Sequence, residues 1–239
     1  MTPLDNIRVV LCETSHPGNI GAAARAMKTM GLMQLHLVKP QRFPDPEALW
    51  RASRANDVLE RASVEESLDV ALHGSVFAVA CTARSRDVAV PAVDAREAAS
   101  RLVDIARTQP VALVFGNETY GLTTEDVNRC NLLASIPANP AYTSLNLGAA
   151  VQVFAYEVRM AAIEAAPAEA SPELATHEQV EGFYEHLEHS MAQNGFLDPE
   201  HPKKLMPRVR RLFARAHLEP DEVNILRGIL KSMTHPKKR

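Results

Sequence analysis

Five polar residues stand in short stretches that are otherwise small or apolar. They are Asn19 and Arg25 in "SHPGNIGAAARAMKTMG", Glu118 in "LVFGNETYGL", and Ser144 and Asn146 in "IPANPAYTSLNLG". Arg25 stands alone among alanines and methionines and offers a permanent cation, since a guanidinium stays protonated at any physiological pH. Such a cation can stabilise a developing oxyanion, and hydroxyl, amide and carboxylate groups can orient a polar substrate. Each residue also has a purely structural use. Asn19 and Ser144 have the residue type of helix N-caps, Arg25 could make a surface ion pair, Glu118 could pair with a nearby base, and Gly116 and Gly121 could serve turns. Asn146, placed just inside a helical stretch, fits its position less well, because asparagine is a poor helix former.

Other chemistries find little support. The three cysteines, Cys12, Cys81 and Cys130, form no C-x-x-C pair, and the nine histidines include no H-x-x-x-H pair. The expectation is therefore no metal, no disulfide framework and a reducing cytoplasm. The glycines after the first apolar run match neither G-x-G-x-x-G nor G-x-x-x-x-G-K-[ST]. No run approaches the ~20 apolar residues of a membrane span, and the N-terminus lacks the layout of a secretion signal.

These residues need a frame that brings them together. Apolar runs of strand length at 7–13, 32–40, 75–83, 111–117 and 132–138 alternate with helical stretches, which predicts an α/β domain: a parallel sheet with helices on both faces. Two helices carry capping-box spacing at their starts, Ser63 with Glu66 and Asp94 with Glu97. A long helix over 145–166 is apolar almost all round in its first turns and calls for a buried place or an interface. In such sheets ligands gather at the carboxyl ends of the strands. There lie "SHPGNIG", "CTARSR" with Arg84 and Arg86, "FGNETYGL" and "PANPAYTSLNLG".

The texture changes at "AAPAEASPELA", giving the α/β domain at 1–164, a linker at 165–175 and a small all-α domain at 176–239. The chain of 239 residues has a net charge of −3, unevenly spread. Residues 1–175 hold 15 Lys+Arg against 20 Asp+Glu, and residues 176–239 hold 11 against 9. Lys203, Lys204, Arg208, Arg210, Arg211 and Arg215 form a run free of acids, either a solvated helix face or a phosphate-contacting patch.

The blocks "HPGNIGAAARAMKTMGL", "LVFGNETYGLTTED" and "IPANPAYTSLNLGAAVQVFAYE" resemble, in the same order, the three motifs of the SpoU branch of the SPOUT RNA methyltransferases. Within that branch the likeness is to the enzymes that methylate the ribose of nucleotide 32, cytidine or uridine, in the tRNA anticodon loop, and it covers essentially the whole chain. The resemblance implies a trefoil knot in the C-terminal part of the α/β domain, S-adenosylmethionine as cofactor, tRNA as partner, and a homodimer joined through the first and last helices of that domain. It places cofactor contacts on Cys81, Thr82, Ala83, Gly116, Ile136, Thr143, Ser144 and Leu145. It assigns catalysis to Arg25, with Ser144, Asn146 and Arg84 in support, and gives Asn19 and Glu118 supporting places in their motifs. Two positions depart from the family: Asn117 stands where arginine is common, and Gly148 where alanine is common. Two other readings remain at this stage: a tRNA-binding protein without catalysis, and a nucleotide-cofactor enzyme of ordinary dinucleotide-binding fold.

Overall fold

A computed structural model describes residues 2–83, 90–164 and 172–234. Seven strands form one sheet: β1 (Ile7–Cys12), β2 (Gln34–Val38), β3 (Ser63–Glu65), β4 (Phe77–Cys81), β5 (Ala92–Asp94), β6 (Val111–Phe115) and β7 (Leu132–Ser135). Their spatial order is β3-β2-β1-β6-β4-β7-β5, and every pairing is parallel. Around them lie the helices α1 (Pro17–Met30), α2 (Pro46–Ala52), α3 (Asn56–Glu60), α4 (Leu68–Ala71), α5 (Ala95–Ala106), α6 (Thr124–Asn128) and α7 (Leu147–Glu164).

The central strands β4 and β6 are buried at every position because both faces are covered. Alternation along β1 sends Val9 and Leu11 into one core, with Ile20, Met27, Leu102 and Phe154 from α1, α5 and α7. Val10 and Cys12 enter a second core on the opposite face, with Leu68, Leu72 and Val127. The parallel register aligns Leu11, Phe115 and Cys81 across three strands, so their following loops leave the sheet along one rim.

The N-cap expected at Asp94 forms, its carboxylate accepting from the Glu97 N–H at 2.8 Å, but the box is not closed, because the Glu97 carboxylate pairs with Arg101. The cap expected at Ser63 does not form. Ser63–Glu65 pairs with His36–Val38 as an edge strand, and the helix starts one turn later, where the Ser67 hydroxyl accepts from Val70 N–H. Sheet pairing outweighed local capping there. Gly31 closes α1 in a left-handed conformation, φ +87°.

The C-terminal residues form α8 (His177–Gln193), α9 (Leu205–Ala214) and α10 (Pro220–Thr234), packed around Phe183, Tyr184, Leu218 and Val223. This module sits at the amino ends of the strands. The Gln109 amide accepts from Leu174 N–H at 2.7 Å and donates to Pro172 O at 3.1 Å. His177 N–H donates to Ser75 O at 2.8 Å, and the rings of Phe77 and His217 lie 5.7 Å apart. Of the expected linker, 165–171 lie outside the described residues, while 172–175 are held against the α/β body.

Candidate active site

Three strand ends, those of β4, β6 and β7, build a cavity of about 250 Å³ with α7 at the carboxyl rim. Its lining includes all eight residues expected to contact cofactor: Cys81, Thr82, Ala83, Gly116, Ile136, Thr143, Ser144 and Leu145. Phe115 and Phe154 form part of the wall, edge to face with centroids 5.5 Å apart. The wall is thus apolar, with Thr82, Thr143, Ser144 and Glu118 supplying polar groups around it, the pattern of a small-molecule site. Gly116 is required by its own loop, since a Cβ there would lie 2.1 Å from Gly121 C and Leu122 N. The chain therefore turns back at once, with Gly121 at φ +74° and its N–H on Asn117 O at 2.8 Å.

Beside the cavity, Glu118 gathers the approach to α1. Its carboxylate accepts from Ser15 N–H (3.0 Å), Ser15 Oγ (2.8 Å), His16 N–H (3.2 Å) and Asn19 Nδ2 (2.8 Å). Burial alone would raise its pKa, but the hydrogen bonds from Asn19 and Ser15 outweigh burial and hold it below the ordinary value. Asn19 Oδ1 accepts from Asn146 Nδ2 at 2.8 Å. Asn146 Oδ1 in turn accepts from the N–H groups of Gly148 (2.9 Å) and Ala149 (3.4 Å). One relay therefore joins Glu118, Asn19, Asn146 and the start of α7. The N-cap of the long helix is Asn146 and not Ser144, and Asn19 lies inside α1, behind the N-cap His16. Ser144 stays exposed on the cavity, its hydroxyl without a partner among the described residues.

Asn117 takes a role that its residue type did not announce. Almost buried, it donates to Glu13 O at 2.7 Å and accepts from Thr119 N–H at 2.8 Å, pinning the loop after β6 to the end of β1. Glu13 itself sits at φ +52° and accepts from the Tyr120 hydroxyl. Gly148 is likewise more than a small change from alanine. A Cβ there would come within 2.6 Å of Ala22 Cβ, so α1 and α7 cross closely at that point.

Arg25 is not brought into the cavity. It lies exposed on α1, with no side-chain partner among the described residues. Arg84, with Arg86, lies outside the described residues. Burial pushes the thiols of Cys12 and Cys81 well up, and that of Cys130 likewise, so none is disposed to act as a nucleophile. Among the described residues no group of acids, histidines and cysteines could hold a metal, and no helix is long and apolar enough to cross a membrane.

Of the tail cations, Lys203, Lys204, Arg208, Arg211 and Arg215 are exposed. Arg210 is different. It makes a two-pronged ion pair with Glu181, at 2.6 and 2.7 Å, and its guanidinium lies 4.4 Å from the Tyr184 ring centre. It braces the module, as a planar guanidinium does well.

A model of the SpoU rRNA Methylase family matches residues 6–156, and one of the tRNA methyltransferase TrmJ C-terminal domain matches residues 178–239. The chain belongs to the SpoU methylase family, in its TrmJ branch. It is 48% identical to tRNA (cytidine/uridine-2′-O-)-methyltransferase TrmJ of Pectobacterium atrosepticum, over 96% of this chain and 97% of that one. It is also 48% identical to tRNA (cytidine/uridine/adenosine-2′-O-)-methyltransferase TrmJ of Pseudomonas aeruginosa, over 95% of this chain and 93% of that one. The crystal structure of TrmJ from Z. mobilis superposes with a TM-score of 0.84 at 31% identity, covering 95% of this chain and 98% of that one. The three blocks of sequence that resemble the family's motifs are the loops that meet through Glu118, Asn19 and Asn146.

Proposed function

We propose that the protein is a tRNA methyltransferase that moves the methyl group of S-adenosylmethionine to the ribose 2′-hydroxyl of nucleotide 32, cytidine or uridine, in the cytoplasm. The observation that carries the reading is the cavity at the carboxyl rim, built by the motif loops of a SpoU methylase and sized for a small cofactor. Its residues fit S-adenosylmethionine. Phe115, Ile136, Leu145 and Phe154 offer apolar surface to a base and a thioether, and Thr82, Thr143 and Ser144 offer polar groups around it. The trefoil knot implied by the family would thread these same loops.

When bound, the cofactor supplies a methyl group on a sulfonium. The 2′-oxygen gains the O–CH3 bond as the S–CH3 bond breaks, leaving S-adenosylhomocysteine and releasing the hydroxyl proton. Arg25 orients the ribose and stabilises the developing alkoxide. It cannot take the proton, because its guanidinium is already protonated, so the RNA phosphate or water accepts it. Ser144 meets the ribose or cofactor with its free hydroxyl. Asn146, with both ends of its amide occupied inside the protein, acts as a positioning residue, as do Asn19 and Glu118. Arg25 is exposed on α1, three residues beyond Ala22, where that helix meets Gly148 of α7, which suits a two-fold dimer in which each Arg25 serves the cavity of the other copy.

A thermal-shift series with S-adenosylmethionine, NAD and ATP tests the cofactor. Stabilisation should approach 3 kcal/mol at about 100 times the dissociation constant, for S-adenosylmethionine alone. Stabilisation by NAD instead would overturn the reading in favour of a dinucleotide enzyme.

A further inference from the structure

The chain has a single tryptophan, Trp50, and it is 74% exposed, with Leu49 beside it also largely exposed. The Arg51 guanidinium lies 5.1 Å from the centre of the indole, near enough for a cation–π contact. Both residues are on α2, which is held tightly to α1. At Gly21 a Cβ would come within 2.1 Å of Ala48 O and 2.9 Å of Arg51 Cβ. At Gly18 it would come within 2.7 Å of Glu47 Oε1. These two glycines let α2 cross α1 on either side of Asn19, one turn before Arg25, so the exposed indole is carried on a helix that borders the proposed place of reaction.

The charges of this face favour an anionic partner. Most of its acids already have partners: Asp45 with Arg42 at 3.8 Å, Glu47 with the His16 imidazole at 3.5 Å and Asp57 with Lys28 at 2.8 Å, while Glu60 at the end of α3 is exposed and has none among the described residues. Arg25, Arg51 and Arg54 have no acidic partner among the described residues. An exposed aromatic plane with an arginine on it and further unpaired arginines nearby suits an unpaired base and its phosphates. We propose that Trp50 and Arg51 form a stacking platform for an unpaired base of the RNA loop, next to the nucleotide presented to Arg25. The proposal rests on the methyltransferase reading.

Emission excited at the red edge, where indole absorbs and tyrosine does not, reports on this residue alone, because no other tryptophan is present. An unmodified anticodon stem-loop should quench the emission saturably, and a fully paired RNA of equal length should not. Trp50→Ala should raise KM for tRNA about tenfold, within the range of one base–aromatic stack, with cofactor affinity unchanged, and Trp50→Phe should restore most of the loss. Emission unmoved by a stem-loop that filter binding shows to be bound would overturn the platform, as would a wild-type KM in Trp50→Ala. Emission that changes with protein concentration in the absence of RNA would assign the indole to a contact between copies and also refute it. Failure of the methyltransferase reading would show separately, as wild-type protein that methylates no tRNA.

Discussion

At the carboxyl rim of the sheet one carboxylate, Glu118, receives hydrogen bonds from four uncharged donors of Ser15, His16 and Asn19. At the amino end another, Asp69 at the start of α4, is held by charged and chargeable partners. Arg129 Nε approaches both of its oxygens, at 2.8 and 3.0 Å, and His177 Nε2 lies 3.1 Å away. The first carboxylate joins loops within the α/β body; the second joins that body to the helical module. Uncharged donors around a half-buried acid keep their geometry across salt and moderate pH. Ion pairs at a half-exposed acid are screened and titrate. The molecule thus sets its proposed chemistry on a fixed frame and hangs its basic helices on an adjustable joint.

The strongest way to break this comparison is to remove the cation that the frame is meant to present. Arg25→Ala should lower methyl transfer by about 10²–10³-fold, as the loss of one oxyanion stabiliser does, while calorimetry shows cofactor affinity and stability almost unchanged. Loss of cofactor binding along with activity would make Arg25 part of the cofactor site. Next comes Glu118→Ala, which strands donors on three residues. Denaturation should show a loss of about 1–3 kcal/mol, with kcat falling because Asn19 and Asn146 lose their anchor. An unchanged melting curve would deny the relay its structural role.

In the module, Arg210 and Arg211 are neighbours in sequence with different uses. Arg211→Ala should weaken tRNA binding and reduce the slope of log affinity against log salt, by about 0.7 if it meets a single-stranded phosphate, without altering stability. Arg210→Ala should instead destabilise the module, because it leaves Glu181 unpaired and Tyr184 uncovered. Filter binding across a salt series, alongside thermal melts, separates the two. Equal slopes for wild type and Arg211→Ala would leave this part of the basic run as a solvated helix face.

The smallest effect concerns the joint. Hydrogen bonding to His177 and Arg129 outweighs burial and lowers the Asp69 pKa to about 2, below its ordinary 3.8. A depressed carboxylate contributes stability above its unfolded pKa and loses it as pH falls through its folded one. The junction should therefore loosen between about pH 4 and pH 2. Hydrogen exchange at the His177 amide, compared with Asp69→Asn, isolates this contribution. Equal pH dependence in both proteins would remove Asp69 from the joint.

The carboxyl rim was far more legible in sequence than the amino end. Five strands and the loops after them could be read from apolar runs broken by glycine and proline, because strands buried on both faces need continuous apolar residues. The eight cavity residues followed from family resemblance, and they do line one space. The relay was not legible: Ser15 and Glu118 are 103 positions apart, and nothing local tells an asparagine that caps a helix from one that also bonds another loop. The edge strands β3 and β5 were missed because three residues carry no period. The capping signal at Ser63 misled for the complementary reason: local hydrogen bonding lost to sheet pairing. Arg210 counted as one cation in a run of six until Glu181 and Tyr184 were seen around it.

The central claim is that this frame delivers a methyl group to one ribose, and mapping 2′-O-methylation on tRNA treated with purified protein tests it most directly. The expected result is a single new modification at nucleotide 32, dependent on S-adenosylmethionine and formed at least about 10²-fold more slowly with Arg25→Ala. Methylation at another nucleotide, on a base instead of a ribose, or undiminished in Arg25→Ala would contradict it.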